Sequence, residues 1–192
     1  MTQRSSVSLK DLDVSVENVV ATASLKQKLD LIAIMKVFRN VEYRPKKFPG
    51  LVFRLKRPKT ATLIFSTGKM VCTGAKSEKL VRSAVKKVVK ELRGNGIIIL
   101  GKPEIVIQNI VATANLHTSI DLEAAADILD NVMYEPEQFP GLIYRMEEPK
   151  VVILIFSSGK LVFTGGKSTE MVDIAVMKVH GVLDEYGLLF DN

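Results

Sequence analysis

Runs rich in valine, isoleucine, alanine and threonine at residues 14–24 and again at 105–115 read as strands with apolar residues on both faces. Each run gives way to a helical period, at residues 30–40 and 121–131, where Asp30 and Asp121 are placed to cap the first turn. A loop ending in Phe-Pro-Gly follows Pro45 and Pro136. Beyond the first of these loops the pattern predicts strands at 51–55, 60–66 and 69–75, with Thr67-Gly68 as a tight hairpin. Amphipathic helices are predicted over residues 77–93 and 168–185. In the first, Leu80, Val81, Ala84, Val85, Val88 and Leu92 form the expected buried stripe.

These elements come in two matching sets. Phe48-Pro49-Gly50-Leu51 recurs as Phe139-Pro140-Gly141-Leu142, a shift of 91 residues, and the same shift aligns Phe65-Ser66-Thr67-Gly68-Lys69 with Phe156-Ser157-Ser158-Gly159-Lys160. By direct count, 38 of the 80 positions in 17–96 match 108–187 without a gap. A period this long indicates duplication of a whole domain half, not a solenoid of short units. The expected organisation is a short N-terminal extension at 1–13, a first repeat at 14–100 and a second at 101–192.

Charge breaks the symmetry. Residues 17–96 hold 19 basic and 5 acidic side chains, a balance of +14, whereas 108–187 hold 5 basic and 12 acidic, a balance of −7. Two halves of one fold thus carry opposite fields, which lets partners tell them apart. The basic helix face of Lys79, Arg82, Lys86, Lys90 and Arg93 reads first as a solvated surface, with an acidic regulator or flanking DNA as the second reading.

Each predicted sheet has helices for one face only. Alternation leaves Asn18, Val20 and Thr22, then Ala61, Leu63 and Phe65, then Lys69, Val71 and Thr73 on the other face. That face is apolar, with uncharged hydrogen-bonding groups at its middle and cations toward the strand ends. Such a surface marks a binding site, or else is buried by a second layer or a dimer partner.

Composition excludes several chemistries. The single Cys72 forms no internal disulfide, and with only His117 and His180 beside it the chain lacks the soft ligands of an ordinary zinc site. No cofactor, metal or catalytic constellation is expected. Thr164-Gly165-Gly166-Lys167-Ser168 imitates the end of a phosphate-binding loop, but Leu161 stands where that pattern needs glycine. Apolar runs such as 151–156 are too short to cross a bilayer, and no apolar signal core follows Met1-Thr2-Gln3-Arg4. An intracellular protein is expected.

Glu17-Asn18-Val19-Val20 with Gln108-Asn109-Ile110-Val111, the paired Phe-Pro-Gly-Leu loops, and Phe-Ser-x-Gly-Lys followed by Thr-Gly-x-Lys-Ser resemble the core of the TATA-box-binding protein family over residues 14–189. Phe-Pro-Gly in both copies is closest to the archaeal type. The resemblance implies an α+β fold in which two tandem pseudo-symmetric repeats form one curved antiparallel β-sheet saddle with helices on its convex face. It also implies a general transcription initiation factor that binds an A·T-rich TATA element in the minor groove and bends it. Asn18, Asn109, Thr73 and Thr164 match the family's central polar pairs, and Val20, Val111, Leu63, Leu154, Val71 and Val162 match the residues pressed on the groove floor. Phe48 with Phe65, and Phe139 with Phe156, match its kinking wedges. Arg54, Arg145, Lys69, Lys160, Lys76 and Lys167 are placed at strand ends to meet phosphates. Glu135, Glu137 and Gln138 resemble the segment that binds transcription factor B, through which RNA polymerase is recruited; Gln138 departs from the leucine common in the family. Arg44-Pro45-Lys46-Lys47 reverses the charge in the first copy. A divergent paralogue acting mainly on proteins is the alternative. Related half-saddles also serve as accessory domains of repair and RNA-cleaving enzymes, for whose catalytic domain the sequence leaves no expected room.

Overall fold

A computed structural model describes residues 7–190. Residues 1–6 of the expected N-terminal extension, and residues 191–192, lie outside the described residues. Two compact units divide the chain, a first of Asn18–Asn109 and a second of Ile110–Asn192 with Met1–Glu17.

In the first unit, β1 (Ser15–Ser24, of which residues 18–24 belong here) leads to α1 (Leu31–Val37), a short β2 (Val41–Glu42), β3 (Leu51–Lys56), β4 (Lys59–Ile64), β5 (Lys69–Ala75), α2 (Glu78–Gly94) and the first half of β6 (Glu104–Asn115). The strands run antiparallel in the order β2-β3-β4-β5-β1, and β6 lies along the far side of β1. Helix α2 packs across β3, β4 and β5. Its start is fixed by Ser77, whose hydroxyl accepts from the Leu80 amide, and α1 starts at Asp30, whose carboxylate accepts from the Ile32 and Ala33 amides. Helix α1 ends sooner than its periodicity predicts because Phe38 turns extended and sets its ring edge-on to Phe53, centroids 5.1 Å apart. Side chains of Val81, Ala84, Val85, Val88, Val89 and Leu92 are buried on the sheet, each large one contributing about 1.5–3 kcal/mol. Leu80 is a correction: it is 40% exposed, since it lies 100° around the helix from Val81 while Val89 completes the stripe.

The second unit repeats this plan. The rest of β6 is followed by β7 (Ser119–Ile120), α3 (Leu122–Ile128), β8 (Val132–Met133), β9 (Leu142–Met146), β10 (Val151–Ile155), β11 (Lys160–Gly166), α4 (Thr169–Glu185) and β12 (Leu189–Phe190). The strand order is β6-β11-β10-β9-β8, and β12 pairs with β7 apart from it. Helix α4 covers β11 and meets a 3-10 turn at Leu9–Leu12, whose Leu12 is buried. Asp121 and Ser168 cap α3 and α4 as their counterparts do.

One irregularity recurs in both sheets. Between Val19 and Ala21 of β1, the partner β5 advances from Ala75 to Cys72, so β5 carries an extra residue; β11 does the same opposite Ile110 and Ala112. The bulges need left-handed backbone at Gly74 (φ 100°) and Gly165 (φ 94°). The glycines of the apparent phosphate-binding motif are thereby explained: Gly165 forms the bulge, Gly166 leaves room for Val172, and Ser168 caps a helix.

Candidate nucleic-acid interface

Along β1, Val19, Ala21 and Ala23 are buried while Asn18, Val20 and Thr22 stay half-exposed. The same alternation leaves Leu63, Val71 and Thr73 half-exposed in the first unit, and Val111, Leu154, Val162 and Thr164 in the second; Asn109 of β6 is half-exposed too. Register turns these into rows across each sheet: Val52, Leu63, Val71 and Thr22 lie side by side in one, Ile143, Leu154, Val162 and Thr113 in the other. The rows form an apolar floor not covered by helices.

Polar atoms on this floor are few and held. The bulge in β5 leaves the Gly74 amide without a strand partner, and Asn18 Oδ1 accepts from it at 2.7 Å. Asn18 Nδ2 then points away from the backbone, 3.1 Å from Thr73 Oγ1. Gln108 Nε2 donates to Thr22 Oγ1 at 2.9 Å, and its counterpart Glu17 accepts from Thr113 at 3.4 Å. These fixed donors and acceptors present a small, ordered polar set amid valine and leucine.

The Phe-Pro-Gly loops bring the phenylalanines together in pairs. Phe48 and Phe65 meet edge to face with centroids 5.9 Å apart and planes at 67°; Phe139 and Phe156 do so at 5.8 Å and 68°. Phe48 and Phe139 remain 42% and 36% exposed. Glycine at 50 and 141 is required by the rings themselves, because a Cβ there would sit 2.6 Å from Phe48 Cε1 and 2.7 Å from Phe139 Cε1. Phe65 and Phe156 open the following hairpins, where Gly68 and Gly159 donate back to their carbonyls at 2.9 and 3.0 Å.

The loop preceding each pair is a turn. The Arg44 carbonyl accepts from the Lys47 and Phe48 amides at 2.8 and 3.0 Å, and the Glu135 carbonyl accepts from those of Gln138 and Phe139 at 2.9 Å each. The same turn therefore aims the phenylalanine and holds Glu135, Glu137 and Gln138 exposed.

Lys69, Lys160, Lys76 and Lys167 are exposed at or just beyond strand ends. Arg54 and Arg145 lie within the last three residues of β3 and β9, facing Ala61 and Val152 across the hairpin. On α2, Arg82 donates to the Ile105 carbonyl and Arg93 to those of Ile99 and Gly101, so part of the basic face anchors the following segment. Cys72 is fully buried and burial pushes its thiol above the usual range, as suits an inert side chain. No group of three or more potential metal ligands is found among the described residues.

Sequence patterning does not single out Asp13 and Glu104, which border the hollows beside the two aromatic pairs. Their positions outside the predicted strand faces gave no signal, although each is the other's counterpart at the 91-residue shift.

The family model described as transcription factor TFIID (or TATA-binding protein, TBP) matches residues 13–94 and 104–186. The chain is 58% identical over 172 residues to a TATA-box-binding protein of Sulfurisphaera tokodaii, covering 90% of this chain and 87% of the relative. It is 52% identical over 184 residues to one of Pyrobaculum calidifontis, covering 96% and 92%. Methanococcus jannaschii TBP superposes with a TM-score of 0.83 at 47% identity, over 90% of this chain and 98% of that structure. With the family model matched in both repeats and relatives more than half identical across most of its length, this chain belongs to the TATA-binding protein family.

Proposed function

We propose that the protein is a general transcription initiation factor that takes an A·T-rich duplex by its minor groove onto the helix-free sheet faces. The observation that carries this reading is the pairing of Phe48 with Phe65 and of Phe139 with Phe156, half-exposed beside an apolar floor. At A·T pairs the minor groove offers only acceptors, while G·C adds an amino donor. Val20, Val71, Leu63, Val111, Val162 and Leu154 give that donor no partner, a cost of roughly 1–3 kcal/mol per buried group. Asn18, Asn109, Thr73 and Thr164 are the polar contacts to base acceptors. Each phenylalanine pair wedges into a base step, and the unstacking of a few kcal/mol is offset by contact with the bent duplex. Arg54, Arg145, Lys69, Lys160, Lys76 and Lys167 meet phosphates and fix register without reading sequence.

Glu135, Glu137 and Gln138 are the surface for transcription factor B, and the reversed charge of Arg44, Lys46 and Lys47 keeps that factor off the first repeat. A competition band shift tests the DNA reading: an A·T-rich duplex should displace a G·C-substituted one, and equal affinities refute it.

A further inference from the structure

The 91-residue shift pairs Lys26 with His117 and Glu104 with Asp13, and within each unit the acid meets the base. In the first unit Lys26 Nζ lies 2.6 Å from Glu104 Oε1; in the second, His117 Nε2 lies 2.9 Å from Asp13 Oδ2. The two bases occupy equivalent turns with left-handed backbone, φ 54° at Lys26 and 55° at His117. Holding non-glycine residues there costs on the order of 1 kcal/mol. Side chains two residues earlier support both turns, Ser24 Oγ accepting from the Lys26 amide and Asn115 Oδ1 from that of His117.

Both carboxylates face the elements assigned above to DNA. Glu104 borders the same hollow as Phe65, Pro49 and Lys69, and Asp13 borders that of Phe156, Pro140 and Lys160. A carboxylate in that position opposes a phosphate backbone arriving at the neighbouring lysine. What differs is the neutralising partner: the Lys26 ammonium offsets Glu104 in full, whereas the His117 imidazole offsets Asp13 only in its protonated form.

Resting on the DNA-binding reading, we propose that Asp13 and Glu104 are specificity-determining residues that restrain backbone entry beside each aromatic pair, and that their unlike partners make the second unit the less receptive one. The consequence is a built-in polarity of DNA uptake that needs no base contact. Because all four side chains are more than half exposed, the effect is that of a rim charge, altering affinity by about threefold and vanishing with salt.

Equilibrium binding of an A·T-rich duplex by the full chain tests this, with Lys160→Ala as the control that must weaken binding. At about 50 mM salt, Asp13→Asn and His117→Lys should each bind about threefold tighter than the unaltered chain, and Lys26→His about threefold weaker. At about 1 M salt, where the Debye length falls to about 3 Å, the differences should collapse. His117→Lys keeps the ion pair, and the first repeat already holds a lysine in that turn, so a merely structural role leaves its affinity unmoved. A·T-selective binding in which His117→Lys and Asp13→Asn fail to tighten, or Lys26→His has no effect, overturns this inference alone. An unaltered chain without A·T preference overturns the DNA reading itself.

Discussion

The Gly74 amide donates to Asn18 Oδ1 at 2.7 Å, which turns the carboxamide so that its NH2 group faces away from the backbone. A bulge in β5 thereby orients Asn18, one of the proposed polar contacts, as a donor, the polarity that A·T acceptors would require. Asn18→Asp keeps the acceptor for Gly74, replaces the donor and adds a charge. The variant should melt within a few degrees of the unaltered protein yet bind an A·T duplex at least about tenfold more weakly, about 1.4 kcal/mol. Thermal denaturation and titration of labelled DNA read the two effects separately.

Gly50 lies under both rings of its pair. In Gly50→Ala the new methyl would stand 2.6 Å from Phe48 Cε1 and 3.1 Å from Phe65 Cε1, so the exposed Phe48 ring must swing away. Overpacking of this sort costs about 1 kcal/mol when a neighbour can yield. Stability should fall by about that much in urea titration, with a larger loss of DNA bending than of stability, since the wedge is what moves.

Thr62 Oγ1 is buried without a hydrogen-bond partner, and its cross-strand neighbour is Cys72, whose thiol is a weak hydrogen-bonding group. The second repeat has Ile153 and Phe163 at the equivalent positions. Thr62→Val removes an unsatisfied hydroxyl at nearly constant volume and should stabilise the protein by about 1 kcal/mol, seen as a higher urea midpoint at unchanged slope. DNA affinity should not change, because the residue faces the helices.

Changing Glu135 and Glu137 together to arginine should abolish the ternary complex with transcription factor B. Binary DNA binding should persist, because the turn that positions Phe139 uses the Glu135 carbonyl and not its carboxylate. Native gel shifts with and without the factor measure both; unaltered recruitment contradicts the assignment.

Much of this was legible in the sequence because the repeat supplies two readings of each element. Strand faces follow from alternation, and Asp30 and Asp121 cap their helices where local spacing places them. What escaped is what depends on contact between distant segments. Phe38 ends α1 by packing on Phe53, the bulges at Gly74 and Gly165 arise from strand register, and the Lys26–Glu104 and His117–Asp13 pairs join residues far apart in the chain. Leu80 departs from the stripe for a local reason: it lies about 100° around the helix from Val81 and so faces solvent.

Deformation of A·T-rich DNA by the paired phenylalanines is read by fluorescence energy transfer between dyes at the two ends of a short duplex. Saturating protein should shorten the end-to-end distance of an A·T-rich duplex, and Phe48→Ala with Phe139→Ala should abolish most of that shortening while leaving the protein folded. Binding with no change in distance, or shortening that survives loss of both rings, would contradict it.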